Sequence, residues 1–284
     1  MALEDVCRLE DLAFDSECIL YKRSWRKSMG AGDEVPLHFY IPPSQHSNWN
    51  GRPFPLSHGT TTLAFAFQGG VIAAADTRAS CAGLVSCPCT QKILPVHSHL
   101  VVTTSGSGAD CMLWERILTR ELRLYQLRNR RRLRIGAAAK LLSFMLHPFK
   151  GTDVCVAATL CGWDIDERHS GPSLCYVCSD GTFLHGDLIS VGSGSPYAYA
   201  VLDDGVKWGM DVDEAVAVAR EAVYRATHRD AYSGNNVDLF HITVHGWRRR
   251  NREDLKEEYY KEKKQEKKRT QRPNMDGLKT HENK

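Results

Sequence analysis

Two apolar runs that favour β-strands flank a pair of glycines, and this pattern constrains the fold more than any other part of the sequence. The runs are Thr60–Phe67 and Val71–Asp76, and the glycines are Gly69 and Gly70. Glycine reaches the positive φ angles that tight turns require, whereas other residues are strained there. The sequence therefore predicts a β-hairpin in which the second strand folds back along the first.

The register of this hairpin decides which side chains meet. Pairing Gln68 with Val71 would set Asp76 near Leu63, so the carboxylate would lie within a few residues of Thr60. A slip of one residue would turn every side chain to the opposite face of the sheet. The facing of the strands is therefore left open, but the proximity of Asp76 to Thr60 is expected.

The junction between Gly59 and Thr60 gives this proximity a chemical meaning. If the chain is cut there, Thr60 carries a hydroxyl and a free α-amine in one residue. An α-amine has a pKa of roughly 7.7 to 8.0, so it can take the hydroxyl's proton near neutral pH. Uncut, the same nitrogen is an amide and cannot act as a base. Gly59 suits the cut because it has no side chain that hinders attack on its carbonyl.

Several motifs resemble a known family in both order and spacing, and the resemblance extends over about residues 58–247. The segments that carry it are Gly59–Phe65, Gly70–Asp76, Ser105-Gly106 and Thr227–Gly234. They resemble a catalytic beta subunit of the 20S proteasome, most closely the chymotrypsin-like type and especially its thymus-specific form. The resemblance implies a threonine-type endopeptidase that cleaves peptide bonds inside a particle of stacked alpha and beta rings.

The order of the elements along the chain is strands, two helices, strands, two helices and a strand. This order predicts an α+β fold in which two sheets pack face to face between helices. The resemblance implies the four-layer αββα sandwich of the N-terminal-nucleophile hydrolases, with two antiparallel sheets.

Polar residues at capping positions predict where several helices begin. Ser107 and Asp110 have the spacing of a capping box, and so do Asp211 and Glu214. Ser195 is expected to be an N-cap, because the proline that follows it suits the first helical position.

The resemblance assigns roles to a set of residues around Thr60. Lys92 matches the family's active-site lysine, and its charge would pair with Asp76 and favour the neutral amine and the alkoxide of Thr60. The Gly106 amide would be the oxyanion donor, at a helix start where an anion is stabilised. The residues that would orient the amine by hydrogen bonds are Ser193, Asp230 and Ser233. Taken singly, each could instead be a surface lysine, a glycine-rich turn or a helix cap.

The resemblance also implies a pocket for the substrate side chain before the cut. The positions that would line it are Ala79, Thr90, Leu94, Thr104 and Gly108. Chymotrypsin-like relatives usually have larger or more apolar residues at the places of Thr90 and Thr104. Two hydroxyls would make the pocket polar, which disfavours cleavage after large apolar residues. Alternatively, both threonines turn their methyl groups inward and the pocket stays apolar.

The two ends of the chain differ in composition from the middle. Residues 1–59 are rich in proline and polar residues, which predicts an extended leader: a propeptide removed on maturation or, alternatively, a retained arm. The catalytic domain is expected to cover residues 60–247. Residues 248–284 contain 14 Lys or Arg and 8 Asp or Glu, so the charge of +6 in this extension accounts for the basic balance of the chain. A mobile or partly helical tail is expected, with docking, nuclear targeting and simple solvation all open.

Composition excludes several other classes. No apolar run approaches the roughly 18 residues that span a membrane, and the first residues lack a signal pattern, so cytoplasm and nucleus are expected. The ten cysteines are expected to be reduced thiols without zinc, and no metal or cofactor is expected. The expected partners are other proteasome subunits and unfolded polypeptide, not nucleic acid or membrane. A catalytically silent ring subunit and an unrelated N-terminal-nucleophile amidase are the alternatives.

Overall fold

Two antiparallel sheets, one stacked on the other, form the centre of the molecule. The computed structural model describes residues 59–81, 83–165 and 170–270. The strands in chain order are β1 Thr62–Phe67, β2 Gly70–Asp76, β3 Ala79–Cys81, β4 Leu84–Cys87, β5 Ile93–His97, β6 Leu100–Gly106, β7 Val156–Ile165, β8 Ser170–Cys178, β9 Phe183–His185, β10 Leu188–Val191, β11 Asn236–Thr243, β12 Gly246–Arg249 and β13 Glu253–Asp254. The first sheet has the order β10-β1-β2-β11-β12, with β13 also paired to β11, and the second has the order β5-β6-β7-β8-β9. Strands β3 and β4 form a separate ribbon.

Helices cover the outer face of each sheet. Their bounds are α1 Gly108–Asn129, α2 Ile135–Leu146, α3 Ser195–Gly205, α4 Val212–Arg229 and α5 Leu255–Thr270, and a 3₁₀ turn, His147–Phe149, follows α2. Helices α1 and α2 share one apolar cluster with the second sheet, and α3 and α4 share another with the first sheet. The predicted α+β fold with four αββα layers is therefore confirmed.

Successive side chains along a strand point to opposite faces of the sheet, one toward the helices and the next toward the other sheet. Along β1, Leu63 and Phe65 point to the helices, whereas Ala64 and Ala66 join the cluster between the sheets. Small side chains on the inner face allow the two sheets to approach closely. The apolar run that predicted this strand is thus buried on both sides.

The predicted hairpin forms, but its register differs by two residues from the expected one. Gln68 and Gly69 make the turn, Phe67 pairs with Gly70, and Asp76 lies opposite Thr61, whose carbonyl accepts its amide at 3.0 Å. Gly70 itself is in the strand with φ +131°, where a side chain would overlap a backbone carbonyl of β11. The turn therefore precedes the second glycine. A shift of two residues, unlike a shift of one, does not turn the side chains to the opposite face of the sheet.

Helix α1 begins after Ser107 as predicted, but its capping box does not form, and the predicted cap of α3 is wrong by one residue. The Ser107 side chain makes no capping bond, and the Asp110 carboxylate accepts from the Cys155 amide at 3.1 Å instead. The cap of α3 is Gly194, and Ser195 is already the first helical residue. The capping box of Asp211 and Glu214 does form at the start of α4, with both bonds present.

The folded unit extends beyond residue 247, where the domain was expected to close. Arg249 and Arg252 both pair with the fully buried Asp238 on β11. Helix α5 then packs on the first sheet's helical layer, with Leu255 5% exposed and the Tyr224 hydroxyl donating to Glu262 at 2.7 Å. The extension is helical up to residue 270 and contacts the domain as far along as Glu262. Residues 1–58 and 271–284, which carry the leader and the end of the tail, lie outside the described residues.

None of the helices in the described part of the chain is long and apolar enough to span a membrane.

The packing of α5 predicts a cost for truncating its buried anchor. Leu255→Ala removes a buried side chain from the cluster beneath α4, so we expect the free energy of unfolding to fall by about 2 to 4 kcal/mol in chemical denaturation. Lys256→Ala, at the exposed neighbouring position, is the matched control and should change it by less than about 0.5 kcal/mol. Equal stability of both variants would show that α5 contributes no packing energy.

Candidate active site

Thr60 lies directly before β1, at the end of a strand held between two neighbours. Strand β1 pairs with β2 on one side and β10 on the other, and Thr60 is 6% exposed. The Thr60 hydroxyl donates to the Gly59 carbonyl oxygen at 2.6 Å, and the Thr60 amide donates to the Ser193 hydroxyl at 3.2 Å. The hydroxyl is thus held against the carbonyl of the peptide bond that was expected to be cut.

Gly59 is required by packing as well as by chemistry. A Cβ at this position would overlap the side chain and the Cα of Tyr232. The sequence argument gave only the absence of steric hindrance at the carbonyl as a reason for glycine. The close approach of Tyr232 is a second reason, and the sequence did not reveal it.

Asp76 is fully buried at the end of β2 and accepts four hydrogen bonds. One carboxylate oxygen accepts from the Thr61 amide at 2.9 Å and from Lys92 Nζ at 2.6 Å. The other accepts from the Arg78 amide at 3.0 Å and the Gly234 amide at 2.9 Å. These four donors replace the hydrogen bonds to water that the carboxylate loses on burial.

Lys92 connects the buried carboxylate to the Gly59–Thr60 junction. It lies just before β5, is 6% exposed, and donates to the Gly59 carbonyl oxygen at 3.5 Å as well as to Asp76. Burial lowers the pKa of Lys92, and the opposing effect of the Asp76 carboxylate does not restore it. Lys92 is therefore a stronger acid than a surface lysine, beside an oxygen on which negative charge would develop.

A chain of hydroxyl and carboxylate groups lies on the other side of Thr60. Asp230, at the end of α4, accepts from the Ser193 hydroxyl at 2.6 Å and from the Ser233 hydroxyl at 2.5 Å. Ser233 in turn accepts from the Thr61 hydroxyl at 2.8 Å. The structure thus brings the three expected orienting residues together, and Ser193 is in contact with the nitrogen that a cut would free.

Two glycines beside the site, Gly106 and Gly192, adopt backbone conformations that other residues avoid. Gly106, at the end of β6, has φ +118°, and a Cβ there would meet the Cys155 carbonyl. Gly192 has φ +107°, and a Cβ there would overlap the Thr60 carbonyl and touch the Ser105 hydroxyl. The end of β6 therefore lies beside Thr60, where an amide donor for an oxyanion is needed.

The expected pocket residues come from three neighbouring segments. Ala79 begins β3, Leu94 is in β5 and Gly108 begins α1. The Thr90 amide donates to the Thr77 carbonyl at 2.9 Å, and the Thr104 hydroxyl donates to the Lys92 carbonyl at 3.4 Å. These contacts fix both threonines next to the Asp76–Lys92 region. Their role in substrate binding stays a prediction.

Residues that the sequence analysis did not single out complete the site. The Thr61 amide donates to Asp76 and the Thr61 hydroxyl donates to Ser233. Thr61 therefore connects the Asp76–Lys92 pair with the hydroxyl and carboxylate chain on the other side of Thr60. Arg78 donates to the Ala231 carbonyl at 3.0 Å and to Asn235 at 2.8 Å, which holds the loop that carries Ser233. In the sequence, Thr61 follows Thr60 and Arg78 lies two residues after Asp76. Nothing else in the sequence distinguishes them from ordinary strand or loop residues.

Within the residues that the structure describes, no group of three or more His, Cys, Asp or Glu side chains could hold a metal ion. The cysteines in this part of the chain are free thiols, including Cys175 and Cys178 on β8.

Comparisons with known proteins agree with this geometry. Residues 56–242 match the family model described as "Proteasome subunit". A relative named "Proteasome subunit beta type-5", from Gallus gallus, is 42% identical over 228 residues, which cover 78% of this chain and 88% of the relative. "Proteasome subunit beta type-8" from Homo sapiens is 45% identical over 192 residues, which cover 68% of each chain. "Proteasome subunit beta type-5-A" from Arabidopsis thaliana is 44% identical over 202 residues, or 71% of this chain and 72% of the relative.

The contacts of Lys92 predict its importance for cleavage at the Gly59–Thr60 bond. Lys92→Met keeps the length of the side chain but removes the cation from the Gly59 carbonyl, so we expect cleavage to slow roughly 10²- to 10³-fold. The intact mass of the chain over time measures this rate. Asp76 keeps its three backbone donors in the variant, which limits the loss of stability.

Lys150→Met, at an exposed loop position, is the control and should be cleaved at the normal rate. A Lys92→Met chain that is cleaved as fast as this control would show that Lys92 only fills space.

Proposed function

The chain belongs to the proteasome subunit family, and on that premise we propose that Thr60 is its nucleophile and that the bond after Gly59 is its first substrate. The chain is a beta-type, threonine-type endopeptidase subunit, which assembles with other alpha and beta subunits in the stacked rings of the 20S core. The observation that carries the proposal is the 2.6 Å hydrogen bond from the Thr60 hydroxyl to the Gly59 carbonyl oxygen, beside Lys92.

The first reaction is cleavage of the chain by its own hydroxyl. Thr60 Oγ1 adds to the Gly59 carbonyl carbon, and the resulting negative oxygen is stabilised by Lys92 Nζ, which already donates to it. The Gly59–Thr60 C–N bond then breaks, its nitrogen takes the proton that the Thr60 hydroxyl gave up in the attack and becomes the α-amine, and Gly59 is left as an ester on Oγ1. Water hydrolyses the ester and releases residues 1–59 as the propeptide.

The freed amine then serves as the base for later substrates. Ser193, anchored on Asp230, would keep its contact with the Thr60 nitrogen and so orient the amine's lone pair. The amine takes the hydroxyl's proton as Oγ1 attacks a substrate carbonyl. The Gly106 amide would donate to the oxyanion, and the lowered pKa of Lys92 suits it to stabilise the alkoxide and share its proton.

The alternative of a catalytically silent ring subunit is not favoured. A silent subunit has no need of a buried lysine that contacts both Asp76 and the Gly59 carbonyl. Residues 60–247 would form the catalytic domain proper, and the segment beyond them would be a structural extension that strengthens it. We place the subunit in the cytoplasm and the nucleus.

The specificity proposal concerns the pocket lined by Ala79, Thr90, Leu94, Thr104 and Gly108. The Thr104 hydroxyl donates to the Lys92 carbonyl, so its oxygen is left to accept from a substrate group. A large apolar side chain would cover this acceptor without bonding to it, at a cost of roughly 1 to 3 kcal/mol. We therefore propose weak chymotrypsin-like activity and tolerance of smaller or polar residues before the cut. This profile suits the thymus-specific form, which would supply peptides for antigen presentation in the thymus.

The nucleophile assignment predicts the behaviour of Thr60→Ala. This variant lacks the hydroxyl, so the particle that contains it should lose this subunit's peptidase activity, and residues 1–59 should stay attached unless a neighbouring subunit trims them. N-terminal sequencing and fluorogenic peptides measure the two effects. Thr62→Ala, two residues further along the same strand, is the control. Unchanged activity in the Thr60→Ala particle would show that Thr60 is not the nucleophile.

The pocket proposal predicts the effect of Thr104→Met. Replacing the hydroxyl with an apolar side chain should raise cleavage after Phe, Tyr or Leu by roughly five- to tenfold, as expected for about 1 kcal/mol or more. Peptides that differ only in the residue before the cut provide the measurement, and Thr152→Met at an exposed loop is the control. Wild-type particles that already cleave after large apolar residues as fast as the variant would favour the inward-methyl alternative, with Thr60 still the nucleophile.

A further inference from the structure

Thr61, the residue after the proposed nucleophile, carries a buried hydroxyl that the proposed reaction steps do not use. This hydroxyl donates to the Ser233 hydroxyl at 2.8 Å, and Ser233 donates in turn to the Asp230 carboxylate at 2.5 Å. The hydroxyl of the next residue, Thr62, donates instead to a backbone carbonyl, that of Val191, at 3.2 Å. The Thr61 side chain is therefore connected to the carboxylate that anchors the orienting serines, whereas the Thr62 side chain is not.

Two serine hydroxyls meet at one oxygen of Asp230, and each receives a hydrogen bond from one of two consecutive threonines. Ser193 donates to Asp230 Oδ2 at 2.6 Å, and Ser233 donates to the same oxygen. Ser193 accepts from the Thr60 nitrogen at 3.2 Å, and Ser233 accepts from the Thr61 hydroxyl. A hydroxyl has one proton, so a serine that gives it to the carboxylate can only accept from its threonine. Thr61 thus has the same place in one branch of the network that the nitrogen has in the other.

The loop that carries Ser193 fits closely against the Thr61 side chain. A Cβ at Gly194 would lie 1.9 Å from the Thr61 hydroxyl oxygen and 3.2 Å from Thr61 Cβ, so only glycine leaves room for this hydroxyl. The Gly194 amide also donates to the Thr60 carbonyl at 3.2 Å. The Thr61 hydroxyl therefore lies between the two loops that supply the serines, packed on the Ser193 loop and bonded to Ser233.

The backbone of Thr61 contacts the other half of the site. Its amide donates to Asp76 at 2.9 Å, and the same carboxylate oxygen accepts from Lys92. A substitution of the side chain leaves this amide in place. The Thr61 hydroxyl can therefore be removed without taking a donor from the Asp76–Lys92 pair.

We propose that Thr61 is a positioning residue whose hydroxyl holds Ser193 and Ser233 in place around the free amine of the mature chain. This role rests on the proposed function, in which the Thr60 amine is the base. Donation from Thr61 occupies a lone pair of Ser233 and keeps the Ser233 proton directed at the carboxylate. Without this donor a buried oxygen loses its partner, and the hydroxyl and its loop shift to find another. The amine is then less well aligned to take the proton of the nucleophile.

The role separates the two reactions of the site. In the uncut chain the Thr60 nitrogen is an amide and cannot be a base, and the cut relies on Lys92 beside the Gly59 carbonyl. In the mature chain the same nitrogen is the base in every turnover. Loss of the Thr61 hydroxyl should therefore slow peptide turnover and spare maturation.

The test compares Thr61→Val, Thr61→Ser and Thr62→Val in assembled particles. Valine keeps the branched shape without the hydroxyl, whereas serine keeps the hydroxyl. For Thr61→Val we expect kcat per mature subunit on a fluorogenic peptide to fall roughly five- to tenfold, with KM within about twofold of wild type. Thr61→Ser should keep at least about half of the wild-type kcat, and Thr62→Val should match wild type. The half-time of the Gly59–Thr60 cut, followed by intact mass, should change by less than about twofold in all three variants.

Several results would overturn the proposal. Wild-type kcat in Thr61→Val would show that the hydroxyl is not needed, and an equal loss in Thr61→Ser would assign the effect to the methyl group. Equal slowing of the cut and of turnover would show that Thr61 supports the whole site rather than the amine. Thr61→Val chains that fail to enter the particle, while Thr62→Val chains enter normally, would assign the hydroxyl to folding.

The Thr60→Ala particle, measured in the same assay, supplies the activity of the other subunits, which is subtracted from every value. It also tests the nucleophile separately. Undiminished activity in Thr60→Ala contradicts the Thr60 assignment itself. Loss of activity in Thr60→Ala together with wild-type kcat in Thr61→Val contradicts only the role of Thr61.

Discussion

The buried carboxylate of Asp76 is the interaction on which the rest of the site depends. It is fully buried and accepts hydrogen bonds from three backbone amides and from Lys92 Nζ. These donors come from four separate segments: the start of β1, the residues after β2, the loop after α4 and the residue before β5. A single carboxylate therefore fixes the relative positions of the strand that follows Thr60, the lysine and the loop that carries Ser233.

This arrangement places the site at the seam between the two sheets. Thr60 and Asp76 belong to the first sheet, whereas Lys92 leads into the edge strand of the second. The small side chains between the sheets, such as Ala64 and Ala73, let the layers approach closely enough for one ion pair to join them. The core packing and the chemistry are thus connected, because the ion pair forms only when the sheets are correctly aligned.

The sequence revealed the layers and the main site residues because each has a local signature. Apolar periodicity showed the strands and helices, and the Gly59-Thr60 junction pointed to the nucleophile. The hairpin register was missed by two residues because the glycine that was assigned to the turn is instead required by the close approach of β11. Thr61 was missed because a threonine in a β-favouring run looks like any strand residue, and its two site contacts come from segments 15 and 172 positions away.

The extension after residue 247 shows a different limit of sequence patterns. Alternating charges predicted a mobile or partly helical tail and left its role open, whereas some of these charges have partners on the folded domain, as Glu262 does with Tyr224 and Arg225. The buried contacts of α5 come from a few apolar residues, among them Leu255 and Tyr259. These residues are hard to recognise in a sequence that is otherwise highly charged. Its packing depends on long-range pairs that local composition does not report.

The contact between Gly59 and Tyr232 also separates two kinds of substrate. A residue with any side chain before the cut would collide with Tyr232 in the backbone position that Gly59 occupies. A foreign peptide must therefore lie along the site on a different path from the chain's own leader. If Thr60 serves both reactions as proposed, the maturation cut and the later turnovers would use different binding poses, and changes in the substrate pocket would leave the step that creates the enzyme undisturbed.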